Sequence, residues 1–389
     1  MGQNGASARR WLERVLLALL GTVVGLIVCE GLLLIGGISC PNFYRPDRYT
    51  GTALRPGAQG WYRGEGEAYV RINRDGLRDR DHTLAKPAGT IRIALLGDSY
   101  AAGFQVSADK TFWSVMESEL TKKNVFAGKH IEVLNFGVPG YGTALELLTL
   151  QHRVWKYSPD LVLLAFVTGN DVSDNTFALG HEKRTPYFVH RGGRLILDED
   201  YLEWYHSREG AIPKLYYWLL NHSRLLRVFK EASYRIDQAV RLRQQMEVAA
   251  RSGFQEIGLS DMIYCQPEDA LWNEAWDITE ELLVQMRDDV RSHGAAFCVV
   301  TLSNGIQIHP DRAVREEFMR KLGVADLFYP ERRIMDLGTR AGFPVLNLAP
   351  ALQSYSESKG MYLHGFGAGV GAGHWNIEGN RVAGNMMAE

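Results

Sequence analysis

Cysteine is scarce in this chain: four residues in 389, at Cys29, Cys40, Cys265 and Cys298. They are too few and too scattered for a disulfide scaffold or a zinc site. Cys29 lies in an apolar run and Cys298 in a predicted strand, so both are expected inside. Cys40 and Cys265 are the pair left for oxidation outside the cytoplasm. Charge of one sign is lacking as well. Lys plus Arg number 43 against 45 Asp plus Glu, a formal net charge of −2, so neither nucleic acid nor a strongly acidic partner is expected. No metal-ligand spacing and no phosphate loop stands out. Gly365 to Gly373 is glycine-dense, but it does not follow a strand and open a helix as a phosphate loop must. No cofactor and no metal is therefore expected. Aromatics are plentiful, with nine Trp and 17 Tyr. Such a count suits exposed faces for sugars or a membrane, and a packed core equally.

Only one long apolar run is present. Val15 to Ile38 carries a single charge, Glu30, and exceeds the roughly 20 residues a helix needs to cross a bilayer. It is too long for a signal h-region of about 7–15 residues, and no small-x-small site follows cleanly. A lipid-attachment pattern at Cys40 fits poorly, with Gly37-Ile38-Ser39 before it and Pro41 after. Arg9, Arg10 and Arg14 favour a cytoplasmic amino end. Residues 1–40 are read as a cytoplasmic tail and one transmembrane anchor, with the bulk of the chain on the periplasmic or extracellular face. Glu30 is left to snorkel, to stay protonated or to pair with another helix. Residues 41–90 follow as a stalk or N-terminal extension with a hairpin that packs on the domain, with a short strand near Glu67 to Asn73 and a turn at Asp75-Gly76.

From residue 91 to 389 the pattern alternates. Apolar runs at Ile91–Leu96, Ile131–Phe136, Leu161–Thr168, Ala296–Leu302 and Val345–Leu348 read as strands. Helical stretches separate them. This rhythm predicts an α/β fold with a doubly wound parallel sheet. Residues 171–270 interrupt it as a large, mostly helical insertion. It contains a hairpin near Tyr187 to Ile196, an aromatic cluster (Tyr201, Trp204, Tyr205, Tyr216, Tyr217, Trp218) and a helix from about Pro213 to Arg251. The insertion reads as a substrate lid, a second packing layer or an amphipathic face on a bilayer.

Parallel strands gather their carboxyl ends on one edge of the sheet, where distant residues meet. Ser99 follows the first sheet strand after Gly97-Asp98. A serine hydroxyl needs a base within hydrogen-bond reach, and His374 follows the glycine-rich loop before the last helix. The N–H groups of Ser99 and Gly140 with the Asn170 amide would form an oxyanion hole, worth about 2.7–4 kcal/mol per donor. Each residue has a bland alternative as a turn or a cap. All four arriving in this order at strand ends is what singles them out.

These stretches resemble the blocks of the SGNH or GDSL hydrolases. Gly97-Asp98-Ser99 looks like the first block, Asn135 through Gly140 the second, Gly169-Asn170-Asp171 the third and His374-Trp375-Asn376 the last. Ile72 to Arg78 (INRDGLR) is similar to a stretch that precedes the domain in membrane-tethered members. The resemblance implies a flavodoxin-like sheet of about five parallel strands. It also implies Ser99 as nucleophile, His374 as base, and esterase activity on O-acyl, especially acetyl, groups, with envelope carbohydrate a suitable carrier. Relatives also transfer acetyl groups to exported polysaccharides. The usual aspartate two or three residues before the histidine is absent, since Gly371 and Ala372 stand there. Glu378 and Asp171 are the candidates to replace it. Without a replacement, the chain reads as an impaired, glycan-binding relative. Protein partners are not indicated.

Overall fold

The computed structural model describes residues 2–38, 40–180, 185–233, 235, 236, 240, 256 and 259–389. Two compact units are present, one of residues 1–42 with 209–241, the other of 43–208 with 242–389. In the first, helix Gly2–Ile35 contains a stretch, Arg9–Ile35, long and apolar enough to cross a membrane. Cys29 is exposed on this helix rather than inside. The helix expected from Pro213 is two helices, Ala211–His222 and a second starting at 224. Its expected continuation over 241–251 lies outside the described residues, as does Ser39.

The second unit opens with two antiparallel hairpins, β1 (Tyr44–Asp47) with β2 (Gly51–Leu54), and β3 (Gln59–Tyr62) with β4 (Ala68–Arg71). The five parallel strands are β5 (Thr90–Gly97), β6 (His130–Asn135), β7 (Leu161–Val167), β10 (Ala296–Leu302) and β11 (Val345–Asn347). A third hairpin, β8 (Tyr187–Arg191) with β9 (Arg194–Asp198), comes from the insertion. The sheet order is β11-β10-β7-β5-β6. This is the flavodoxin-like winding, which reverses direction between β5 and β7.

Continuous apolar runs form these strands because both faces are covered. In β7, Val162, Leu164 and Phe166 face one core and Leu163, Ala165 and Val167 the other. Helices Thr143–Thr149 and Ala270–Ser292 cover the first face. Helices Phe112–Lys122 and Ile377–Met387 cover the second. Residues 43–77 pack on the domain. Phe43, Leu54, Val70, Ile72 and Leu77 are buried in the first core, since their period-2 pattern gives the small hairpins an apolar side to hide. No disulfide joins the cysteines among the described residues.

Candidate active site

The winding reverses between β5 and β7, and Ser99 and Asn170 follow the carboxyl ends of those two strands. Ser99 begins a short helix, Ser99–Ala102, directly after β5, with Asp98 capping the Tyr100 N–H at 2.8 Å. His374 sits in the loop before helix Ile377–Met387, whose first turn is capped by Asn376. His374 Nε2 lies 2.7 Å from Ser99 Oγ. On the other side of the ring, His374 Nδ1 lies 2.5 Å from Glu65 Oε2. Glu65 Oε1 also accepts the His374 backbone N–H at 2.7 Å. One carboxylate thus fixes both the ring and the main chain of the histidine.

Glu65 was not among the candidates from sequence, and the two acids proposed there do not reach the imidazole. Glu378 accepts from Tyr355 Oη at 2.7 Å and from Arg381 at 2.6 Å, because it faces along its own helix. The Arg381 bonds hold its pKa down, to about 2. Asp171 accepts the Val167 N–H at 2.8 Å and is fully buried. Burial pushes its pKa well up, with Glu146 and Asp98 adding to the effect, so it braces its own loop. Glu65 lies in the turn between β3 and β4, within GEGEAYV. The only hint in the sequence is an acid in a glycine-flanked turn, and nothing in the spacing ties it to residue 374. Burial acts to raise the Glu65 pKa, but the bonds and charge from His374 outweigh it and hold the group below its ordinary value.

Gly373 makes this approach possible. A Cβ there would stand 2.2 Å from Glu65 Oε1, and its φ of +78° is a left-handed conformation. The loop is gripped further. The Gly373 carbonyl accepts from Tyr100 Oη at 2.9 Å and pairs with His364 Nδ1 at 2.5 Å. The Gly373 N–H donates to Glu256 Oε1 at 3.3 Å. Burial lowers the His364 pKa to about 4, so this ring is neutral and donates from Nδ1. Glu256, near the end of the insertion, is buried and also accepts from the Gly305 and Ile306 N–H groups at 2.9 and 3.3 Å. The Tyr100 ring packs against His374, centroids 4.8 Å apart.

Gly140 is exposed after β6, with φ +81° and open space where a Cβ would be. Its glycine is demanded by the left-handed backbone rather than by crowding. Asn135, at the start of the same block, donates to the Arg78 and Ala101 carbonyls at 3.3 and 2.9 Å. It thereby ties the INRDGLR stretch to the helix of Ser99. Asn170 follows β7, and its amide donates to Asp98 Oδ2 at 3.3 Å and Asp174 Oδ2 at 3.2 Å. Ser99 Oγ also lies 3.2 Å from Asp98 Oδ2. Ser99 and Asn170 therefore share one carboxylate, Asp98, and His374 joins them through Ser99. Burial pushes the Asp98 pKa up and that of Asp174 to about 6.

No family model matches the chain, and no curated protein sequence does either. Among solved structures it is similar to an acetyl xylan esterase, at 14% identity over 76% of this chain and 98% of that one, with a TM-score of 0.38. It is similar to a lipase/acylhydrolase from Enterococcus faecalis, at 13% identity over 77% and 93%, with a TM-score of 0.34. A variant of an acetyl xylan esterase from Geobacillus stearothermophilus gives 11% identity over 76% and 90%, with a TM-score of 0.35.

Proposed function

We propose that this chain, whose fold is that of the SGNH/GDSL hydrolases, is a membrane-anchored serine esterase that removes O-acyl groups, acetyl first among them, from carbohydrate outside the cytoplasm. The fold reading stands on the strand order, on three blocks at strand ends and on a fourth in the loop before the last helix. The observation that carries the activity is the continuous chain Glu65–His374–Ser99, at 2.5 and 2.7 Å. Ser99 Oγ attacks the ester carbonyl carbon while its proton passes to His374 Nε2. Glu65 keeps the Nδ1 proton in place and stabilises the imidazolium that forms. The imidazolium then protonates the leaving sugar oxygen as its bond to the acyl carbon breaks. Water, deprotonated by His374, attacks the acyl-enzyme and restores Ser99. The charge on the carbonyl oxygen is met by the N–H groups of Ser99 and Gly140 and by Asn170, once the Asn170 amide turns from a carboxylate toward substrate.

Glu65 removes the reason for reading the chain as impaired, because the missing acid is replaced from another segment. A sugar carrier is supported by the hairpin that bears Glu65. Trp61 and Tyr69 are register partners across β3 and β4 and are both exposed, at 46% and 48%, with ring centroids 5.7 Å apart. Exposed aromatic faces beside a hydrolytic centre suit the C–H faces of sugar rings.

The test is labelling by a fluorophosphonate probe together with release from p-nitrophenyl acetate and from an acetylated oligosaccharide. Both activities should vanish in Ser99→Ala and collapse in Glu65→Ala. Labelling of the native protein no stronger than that of Ser99→Ala would overturn the esterase reading. Acetyl appearing on an added sugar rather than in water would assign the alternative, O-acyl transfer from the same acyl-enzyme.

A further inference from the structure

We infer that the helical pair over residues 211–236 lies in the outer interface of the membrane that holds the N-terminal helix. This rests on reading Gly2–Ile35 as a retained anchor, and the contacts of Glu30 bear on both. The two helices of the pair meet at Ser223. The Glu30 carboxylate reaches that joint. It accepts from Ser223 Oγ at 2.9 Å, from the Arg224 N–H at 2.6 Å and from the Leu225 N–H at 3.1 Å. The first N–H groups of a helix have no partner within it, and that end carries partial positive charge. Glu30 answers both needs for the helix that starts at 224. Arg224 in turn donates to the Ile38 carbonyl at 2.9 Å, and Asn42 donates to Asn221 at 3.0 Å. The outer end of the apolar helix is therefore built into a folded unit. Removal of that helix as a leader would strip the second helix of its cap.

Depth follows from helix geometry. At 1.5 Å per residue, Glu30 lies about 7 Å short of Ile35. A helix lying in a bilayer interface sinks its apolar face about 5–10 Å into the headgroup and acyl boundary. The capped joint is at that level. The side chains agree with the placement. Ile212, Leu215, Tyr216 and Leu219 recur at the spacing of one helical stripe, and all are exposed, Ile212 at 83%. Trp218, Phe229 and Ile236 are exposed as well.

Among residues 211–236, Lys214, Arg224, Arg227, Lys230 and Arg235 face a single acid, Glu231. Apolar stripe, interfacial aromatics and basic excess together describe a helix on a lipid surface. A second copy of the chain would set like charge against like, whereas anionic lipid complements it.

The test uses the full chain with its four cysteines changed to serine, held in nanodiscs of phosphatidylcholine with phosphatidylglycerol. Nitroxides are placed through Leu20→Cys, Leu215→Cys, Phe229→Cys and Val125→Cys, the last at an exposed site of the other unit. Far-ultraviolet circular dichroism confirms that each labelled chain is folded. Collision with oxygen should exceed collision with a nickel chelate at 20, 215 and 229, and the ratio should invert at 125. Adding Glu30→Leu should move 229 toward the aqueous ratio and leave 20 unchanged. If 215 and 229 read like 125 while 20 reads as lipid, the interfacial placement is wrong and the anchor stands. If 20 also reads as aqueous, or the mature chain lacks it, the anchor reading falls and takes this inference with it.

Discussion

Ser99 and Glu65 stand on opposite sides of the same imidazole, and they come from different kinds of structure. Ser99 is held by the sheet: a buried strand ends, the chain turns, and the winding reverses beside it. Glu65 is held by a hairpin turn outside the sheet, whose strands are four residues each. The serine's position is a property of topology. The acid's position is a property of one loop packing on another. A site of this design keeps its serine wherever the sheet folds, and gains the carboxylate beside His374 only when the amino-terminal segment docks.

The comparison breaks most completely at the shared ring. Ser99→Ala or His374→Ala should each lower kcat by about 10⁶, since members of such a unit fail together, as measured by acetyl ester turnover. Glu65→Gln sharpens it. We expect a loss of about 10⁴ in kcat with little change in KM, while Glu378→Gln changes turnover by less than about twofold, because it does not touch the ring. A fall with Glu378→Gln as large as with Glu65→Gln would reverse the assignment.

A smaller effect is expected at Asp174, which competes for the Asn170 amide. Asp174→Asn should raise kcat a few-fold above pH 6, where the native carboxylate is charged. It should change little near pH 5, where the native group, with its pKa pushed up to about 6, already holds its proton. A pH–rate profile of the two proteins decides it.

The smallest effect concerns the second carboxylate on the histidine loop. Burial pushes the Glu256 pKa up to about 7 from an ordinary 4.5, against the pull of three backbone N–H groups. The folded state therefore binds this proton more tightly than the unfolded state. The stabilisation is complete below about pH 4.5 and is lost as pH rises toward 7. Glu256→Gln should flatten the fall of Tm between pH 5 and pH 8. Glu331, also raised to about 7 by burial, keeps part of that slope.

What the sequence revealed follows the same division. Apolar runs such as Leu161–Val167 name their strands without help from the rest of the chain, because burial on both faces leaves no polar position to confuse the pattern. The strand ends then locate Ser99 and Asn170, and the glycine-rich loop before the last helix locates His374. The acid escaped because a contact between residue 65 and residue 374 has no period and no spacing. Its trace is the bare run Gly371-Ala372-Gly373, legible only as an absence. Glu30 was visible as an odd charge in an apolar run, but its partners lie nearly two hundred residues on, at 223–225. The stretch 43–77 shows only weak periodicity because its strands are four residues each. Short strands suffice when a ready-made core receives them.

The docking of Glu65 has a practical side for anyone trimming this protein. A fragment begun at the first sheet strand would keep every recognisable block, but it would lose Phe43, Leu54, Val70, Ile72 and Leu77 from the first core. It would also lack Glu65, the carboxylate that holds the His374 ring and main chain. Such a truncation would be scored as a dormant enzyme, and the fault would lie in where the scissors fell.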